Sequence, residues 1–111
     1  MKIISVPLSD DALHRLGCNE SESGDLNEIE LDDAQFQLLW QSGLFDEFND
    51  KLGVLIDDYE DESVTDIEKL KEAFCIANAY RGIHSGESVF QTISELVSVA
   101  IEKRTGIFFY F

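Results

Sequence analysis

The stretch GIFFYF, Gly106–Phe111, decides the fold. Ile107, Phe109 and Phe111 alternate with Phe108 and Tyr110, the two-residue period of a β-strand. A strand so apolar on both faces reads as an inner or helix-backed strand. Core is the stronger reading of these rings, ahead of a binding platform. The simplest partner is KIISVPL, Lys2–Leu8, rich in Ile and Val and stopped near Pro7.

Helical patterns fill most of the chain between these strands. Ser9 or Asp10 caps a short turn that Gly17 closes. Asn19–Asn27 is polar and loop-like, and Glu28–Leu31 is a short extended piece. Asp32 with Gln35 forms a capping box for a helix that buries Phe36, Leu39 and Trp40 and stops at Gly43. Next, Leu44, Phe45, Phe48 and Leu52 point one way and Asp46, Glu47 and Asp50 the other, up to Gly53. Thr65 with Glu68 reads as a second capping box. It opens a helix through Arg81, ended by Gly82, with Ile67, Leu70, Phe74 and Ala77 inward, a stripe widened by Ala73, Ile76 and Tyr80. A last helix, Glu87–Arg104, turns Phe90, Ile93, Val97 and Ala100 inward, with Val89 and Leu96 beside them. The expected fold is α+β: four to five helices packed on a small sheet that includes the N- and C-terminal strands. Residues 1–111 read as a single globular domain, with no internal repeat and no linker.

Composition agrees. Hydrophobic residues make up 44% of the chain and twelve are aromatic, enough for a core. No run of apolar residues is long enough to span a membrane, and MKIISVPLSDDALHRLG is a poor secretory leader. Cys18 and Cys75 fit no metal spacing. They read as reduced thiols of a cytoplasmic protein, with Cys75 buried in its helix.

The charge is the informative quantity. The chain carries 23 acids against 8 bases, a net of −15. Residues 19–62 hold 15 of those acids and one base, Lys51, for a net of −14; the remainder is nearly neutral. Nucleic acid and anionic lipid are disfavoured as direct partners. The density peaks at Asp57, Asp58, Glu60, Asp61 and Glu62, interrupted only by Tyr59.

A calcium loop beginning at Asp57 would place ligands at Asp57, Asp61 and Glu68. Tyr59 stands at its third place, however, and Glu62 where glycine is needed. No metal and no cofactor is expected. His14 and His84 have no GxSxG, HExxH or CxxC partner, GIHSG is no phosphate cradle, and carboxylates are too numerous for any pair to be specific. The chain does not read as an enzyme.

GVLIDDYEDESVTDIEKLKEAF, Gly53–Phe74, runs into a long helix, and VSVAIEKRTGIFFYF, Val97–Phe111, joins a helix, a turn and an apolar strand. With the small size and acidity, these segments resemble small bacterial immunity proteins of contact-dependent growth inhibition and related polymorphic toxin systems. The likeness covers residues 30–111. These families share no invariant motif, so no residue role transfers. The resemblance implies a cytoplasmic inhibitor that binds one cognate toxin domain, commonly a basic nuclease, and neutralises it; the free chain is expected to be a monomer or a weak dimer.

The residues expected to meet such a toxin are Asp57, Asp58, Glu60, Asp61 and Glu62, with Tyr59 as the anchor among them. Asp46, Glu47 and Asp50 would extend the patch, and Glu28, Glu30, Asp32 and Asp33 would join from a neighbouring edge. They would pair with Lys and Arg in the toxin's cleft and occlude it. The rival reading is a nucleic-acid mimic that blocks a DNA- or RNA-binding protein. A mimic spreads its charge over an elongated shape, whereas this chain sets a neutral half against an acidic one.

Overall fold

A computed structural model describes residues 1–111. In chain order the elements are β1 (Lys2–Pro7), α1 (Asp10–Gly17), β2 (Leu26–Leu31), α2 (Asp33–Ser42), α3 (Leu44–Leu52), β3 (Glu62–Val64), α4 (Ile67–Ile83), α5 (Ser88–Lys103) and β4 (Ile107–Tyr110). The fold is α+β. The four strands form one sheet in the order β2-β1-β4-β3, antiparallel at every pairing. The expected pairing of the first and last strands is present: Ile3, Ile4 and Ser5 face Tyr110, Phe109 and Phe108.

Alternation along the strands divides the sheet into two faces. One carries Ile4, Val6, Leu31, Val64, Ile107 and Phe109, all buried in a single cluster of 24 apolar residues. Residues of α2, α3, α4 and α5 complete that cluster. Phe45 and Phe48 of α3 stand 6.0 and 6.4 Å from Phe109, ring to ring. Burying each such side chain contributes about 1.5–3 kcal/mol. The other face carries Ile3, Ser5, Phe108, Tyr110 and, from β2, Leu26, Glu28 and Glu30. The small α1 packs beside β1, and its buried Ala12 stands outside the main cluster.

The helix ends follow from local chemistry. The Ser9 side chain accepts from the N–H of Ala12. Asp32 and Gln35 make the reciprocal capping box. Gly43 takes φ 90°, a left-handed conformation open to glycine, and lets α2 turn directly into α3. Gly106 is needed for closeness instead: a Cβ there would meet Thr65 Cγ2 at 2.8 Å and the Val64 carbonyl at 2.9 Å.

Five expectations are corrected. The cap of α4 is Asp66, accepting from the Lys69 N–H, and not Thr65, which packs against Gly106. Gly82 does not stop α4, which continues to Ile83. Leu70, Ala73, Ile76 and Ala77 of the α4 stripe are buried as expected, but Ile67 and Phe74 are only half-buried and Cys75 is exposed. The extended piece at Glu28 is longer, a six-residue strand. Glu62–Val64, for which no strand is expected from the sequence, pairs with β4 as an edge strand.

Candidate partner-binding face

The acidic loop is built by its neighbours before it can meet anything else. Val54 and Ile56 are buried, and Leu55 between them is 69% exposed. The Asn49 side chain, in the last turns of α3, grips Ile56 as a strand would: Nδ2 donates to its carbonyl at 3.0 Å and Oδ1 accepts its N–H at 2.7 Å. Asp57 Oδ1 then accepts the N–H groups of Tyr59 and Glu60 at 2.7 and 2.9 Å, closing a turn on itself. Asp58 pairs with Lys2, whose ammonium also lies 4.7 Å from the centre of the Phe36 ring. Glu62 accepts from the N–H groups of Leu55 and Ser63. Asp57, Asp58 and Glu62 therefore shape the loop. Glu60 and Asp61 remain exposed without a partner, and Tyr59 projects at 89% exposure.

A second group of acids comes from β2. Glu28 and Glu30 are exposed on the sheet face that lacks α2–α5. Glu28 accepts from the Ser5 hydroxyl at 2.7 Å. Between β2 and the acidic loop lie Phe108 and Tyr110, stacked with centroids 6.3 Å apart and rings 15° from parallel. Burial, then the charges of Asp61 and Glu28, push the Tyr110 hydroxyl above its ordinary range. Asp61 beside β3 and Glu28 on β2 thus flank one aromatic floor from opposite sides.

The α3 acids sit elsewhere. Tyr80 of α4 donates to Glu47 at 3.2 Å. Burial, then Glu47 and Asp46, raise its hydroxyl. Tyr80 packs against the helix-side cluster, so Asp46 and Glu47 belong to the helix layer and not to the aromatic floor. Asp50 is exposed beside Lys51. At the start of α2, Asp32 is spent on its capping box and Asp33 is exposed. The structure brings Glu28, Glu30 and Asp61 around one floor, with Glu60 and Tyr59 on the adjoining loop. It does not bring Asp46 and Glu47 there.

Three functional elements escaped the sequence reading. Phe108 and Tyr110 alternate with core residues as an inner strand's would, and nothing in GIFFYF says which pair lacks a helix. Asn49 gives no pattern at all. Asp25, in a stretch that reads as plain loop, is buried and held by Arg15 through two hydrogen bonds of 2.8 and 2.7 Å, with a third from the Glu22 N–H. That clamp depresses its carboxyl to about 2, the Arg15 hydrogen bond being the largest cause.

No three His, Cys, Asp or Glu side chains are placed to hold a metal ion together. No helix is long and apolar enough to cross a membrane. Comparison with protein-family models, curated proteins and solved structures found no match for this chain.

Proposed function

We propose that this protein is a stoichiometric inhibitor of the immunity type, which binds a cationic protein domain through the open face of its sheet and the adjoining acidic loop. One observation carries the reading. Glu28 pairs with Ser5 and Ser5 with Phe108, while Asp61 directly precedes Glu62, which pairs with Phe109, so carboxylates from distant parts of the sequence flank one aromatic floor on two sides. Such a surface suits Lys and Arg: the rim attracts them, and the half-exposed rings of Phe108 and Tyr110, with the exposed ring of Tyr59, can accept guanidinium contacts. The net charge of −15 supplies the long-range part, raising encounter rates with a cationic partner by about 10- to 1,000-fold at low salt. A bacterial toxin nuclease, basic because it grips phosphate, is the partner class this surface fits best, and occlusion of its cleft is the mechanism. With extents of 35 × 28 × 24 Å the body is only modestly longer than it is wide, which weighs against an elongated nucleic-acid mimic.

The test separates recognition from folding. Glu28→Gln, Glu30→Gln, Glu60→Gln and Asp61→Asn together remove the floor's carboxylates and keep Asp57, Asp58 and Glu62, which hold the loop. Co-expression with a toxin domain encoded by the adjacent upstream gene is the assay. The quadruple variant is expected to fold, lose growth protection and show a weaker salt dependence of association. Full protection by that variant would overturn the proposal, and binding to many unrelated basic proteins in competition with duplex DNA would favour the mimic.

A further inference from the structure

The sheet has an unprotected edge. In the order β2-β1-β4-β3, β2 has a neighbour on one side only. The Leu8 N–H donates to the Asp25 carbonyl at 2.9 Å, in register with the β1–β2 ladder. Hydrogen-bonded pairs in an antiparallel ladder recur every second residue, so Val6–Asn27, Ile4–Ile29 and Lys2–Leu31 are the bonded pairs. The N–H and C=O groups of Leu26, Glu28 and Glu30 consequently point away from β1. None of the chain's turn, loop or cap hydrogen bonds reaches them, and no side chain hydrogen-bonds to them. The opposite edge, β3, is only three residues long, and the loop before it folds back through Glu62 onto Leu55.

Free edges of this length invite another strand. The side chains choose which. Residues whose backbone faces outward on β2 put their side chains on the open sheet face, and two of these three are glutamates. A second copy of this chain, paired antiparallel, would set Glu28 and Glu30 against one another across the new ladder, which like charges oppose. A strand with Lys or Arg at alternate positions would meet them with opposite charge.

We propose that β2 accepts a basic β-strand of the partner protein, extending the sheet to five strands and laying alternate cationic side chains across Glu28 and Glu30 towards Tyr110. The inference rests on the reading of the open face as the partner site and adds the backbone geometry of that contact.

The probe is a capped nonapeptide alternating lysine with threonine, titrated into isotope-labelled protein and compared with a peptide of the same composition whose lysines are grouped at one end. The alternating peptide is expected to move the amide resonances of Leu26, Glu28 and Glu30 most and to bind more tightly than the grouped one. Glu30→Pro removes an outward N–H, and edge positions tolerate proline. Glu30→Gln removes the charge alone. Glu30→Pro is expected to bind the alternating peptide about 3- to 10-fold more weakly than Glu30→Gln, the worth of one hydrogen bond. Unchanged amide exchange at Ile4 and Ile29 confirms an intact ladder in both variants. Equal binding of the two peptides, equal binding by the two variants, shifts confined to residues 57–62, or no binding would each overturn strand addition. If the quadruple carboxylate variant still loses protection in those cases, the open-face reading stands without it. If protection survives there while the alternating peptide docks on β2, the edge is real and the open-face reading fails.

Discussion

The two faces of β4 differ by one residue of phase and by everything that follows from it. Ile107 and Phe109 lie under four helices and are 1% exposed. Phe108 and Tyr110, as large and as aromatic, lie half-covered on the other side, flanked by Glu28 and Asp61. Composition does not separate the two pairs; the supply of helices does. α2 to α5 all contribute to one face, and only α1, eight residues long, packs beside β1 without joining the main cluster. The half-open aromatic surface rimmed with charge is the one the proposed contact rests on, while residues of the same kind under helices are simply core.

The largest expected effect breaks the comparison if it fails. Phe109→Ala removes a buried ring from the centre of the cluster and is expected to cost about 3–5 kcal/mol of stability, measured by denaturant unfolding. Tyr110→Ala, one residue on, is expected to cost clearly less, because its ring is already part-solvated. Yet it should weaken the partner complex where a refolded, stable Phe109→Leu variant does not. Equal losses of stability at the two positions would mean the open face is core after all.

Next in size is Asn49→Ala. It unpins the acidic loop from α3 by deleting two hydrogen bonds to Ile56, whose buried N–H and C=O are left without those partners. The expected loss is about 1–3 kcal/mol. Charge is unchanged, so association with the partner should keep its rate and salt dependence while dissociation quickens. Surface plasmon resonance at two salt concentrations separates the two. A fall in the association rate alone would show that the loop's charge matters and its shape does not.

These contrasts explain what the sequence could and could not reveal. Helix faces such as Phe45–Phe48–Leu52 are written in a local period, and the Asp32–Gln35 box in a local spacing, so both are legible. The pairing of β1 with β4 follows from two apolar runs needing each other. The strand Glu62–Val64 was illegible because three residues rich in polar groups pair only after β4 is in place. Cys75 falls in an apolar-looking run, but α4 turns Leu70, Ala73, Ile76 and Ala77 into the core, and helical spacing then places the thiol on the outer side. For the site, the carboxylates themselves were legible as a dense run. Which of them are consumed by turns and caps, as Asp57, Glu62 and Asp32 are, depends on backbone geometry that charge counts do not contain.

A structural carboxylate and a recognition carboxylate should also part company in acid. Asp25, clamped by Arg15, ionises near 2 against an ordinary 3.8. Because the folded state holds the charged form, its contribution is fully present above about 3.8 and is lost as pH falls towards 2. Thermal melts between pH 6 and pH 2 are expected to show wild type losing more stability across that window than Asp25→Asn, which starts lower and stays flatter. Asp61→Asn should follow the wild-type profile. Parallel profiles for wild type and Asp25→Asn would remove the clamp from the account of the loop that precedes β2.

The smallest effect is the most local. Tyr110 and Tyr80 both keep their protons above the ordinary tyrosine value of 10.0, chiefly through burial, but their carboxylate neighbours differ. Folding favours the neutral phenol at each, so their contribution is present below 10.0 and is lost as pH rises through the raised value. Carbon-13 labelling at tyrosine Cζ resolves the two titrations. Removing Glu28 and Asp61 together should lower the Tyr110 titration part of the way towards 10.0, since burial remains, and leave Tyr80 where it was. Glu47→Gln should do the reverse. If neither substitution moves Tyr110, the two carboxylates do not converge on its hydroxyl. The floor then keeps its geometry from the strand register but loses the electrostatic link between β2 and the acidic loop.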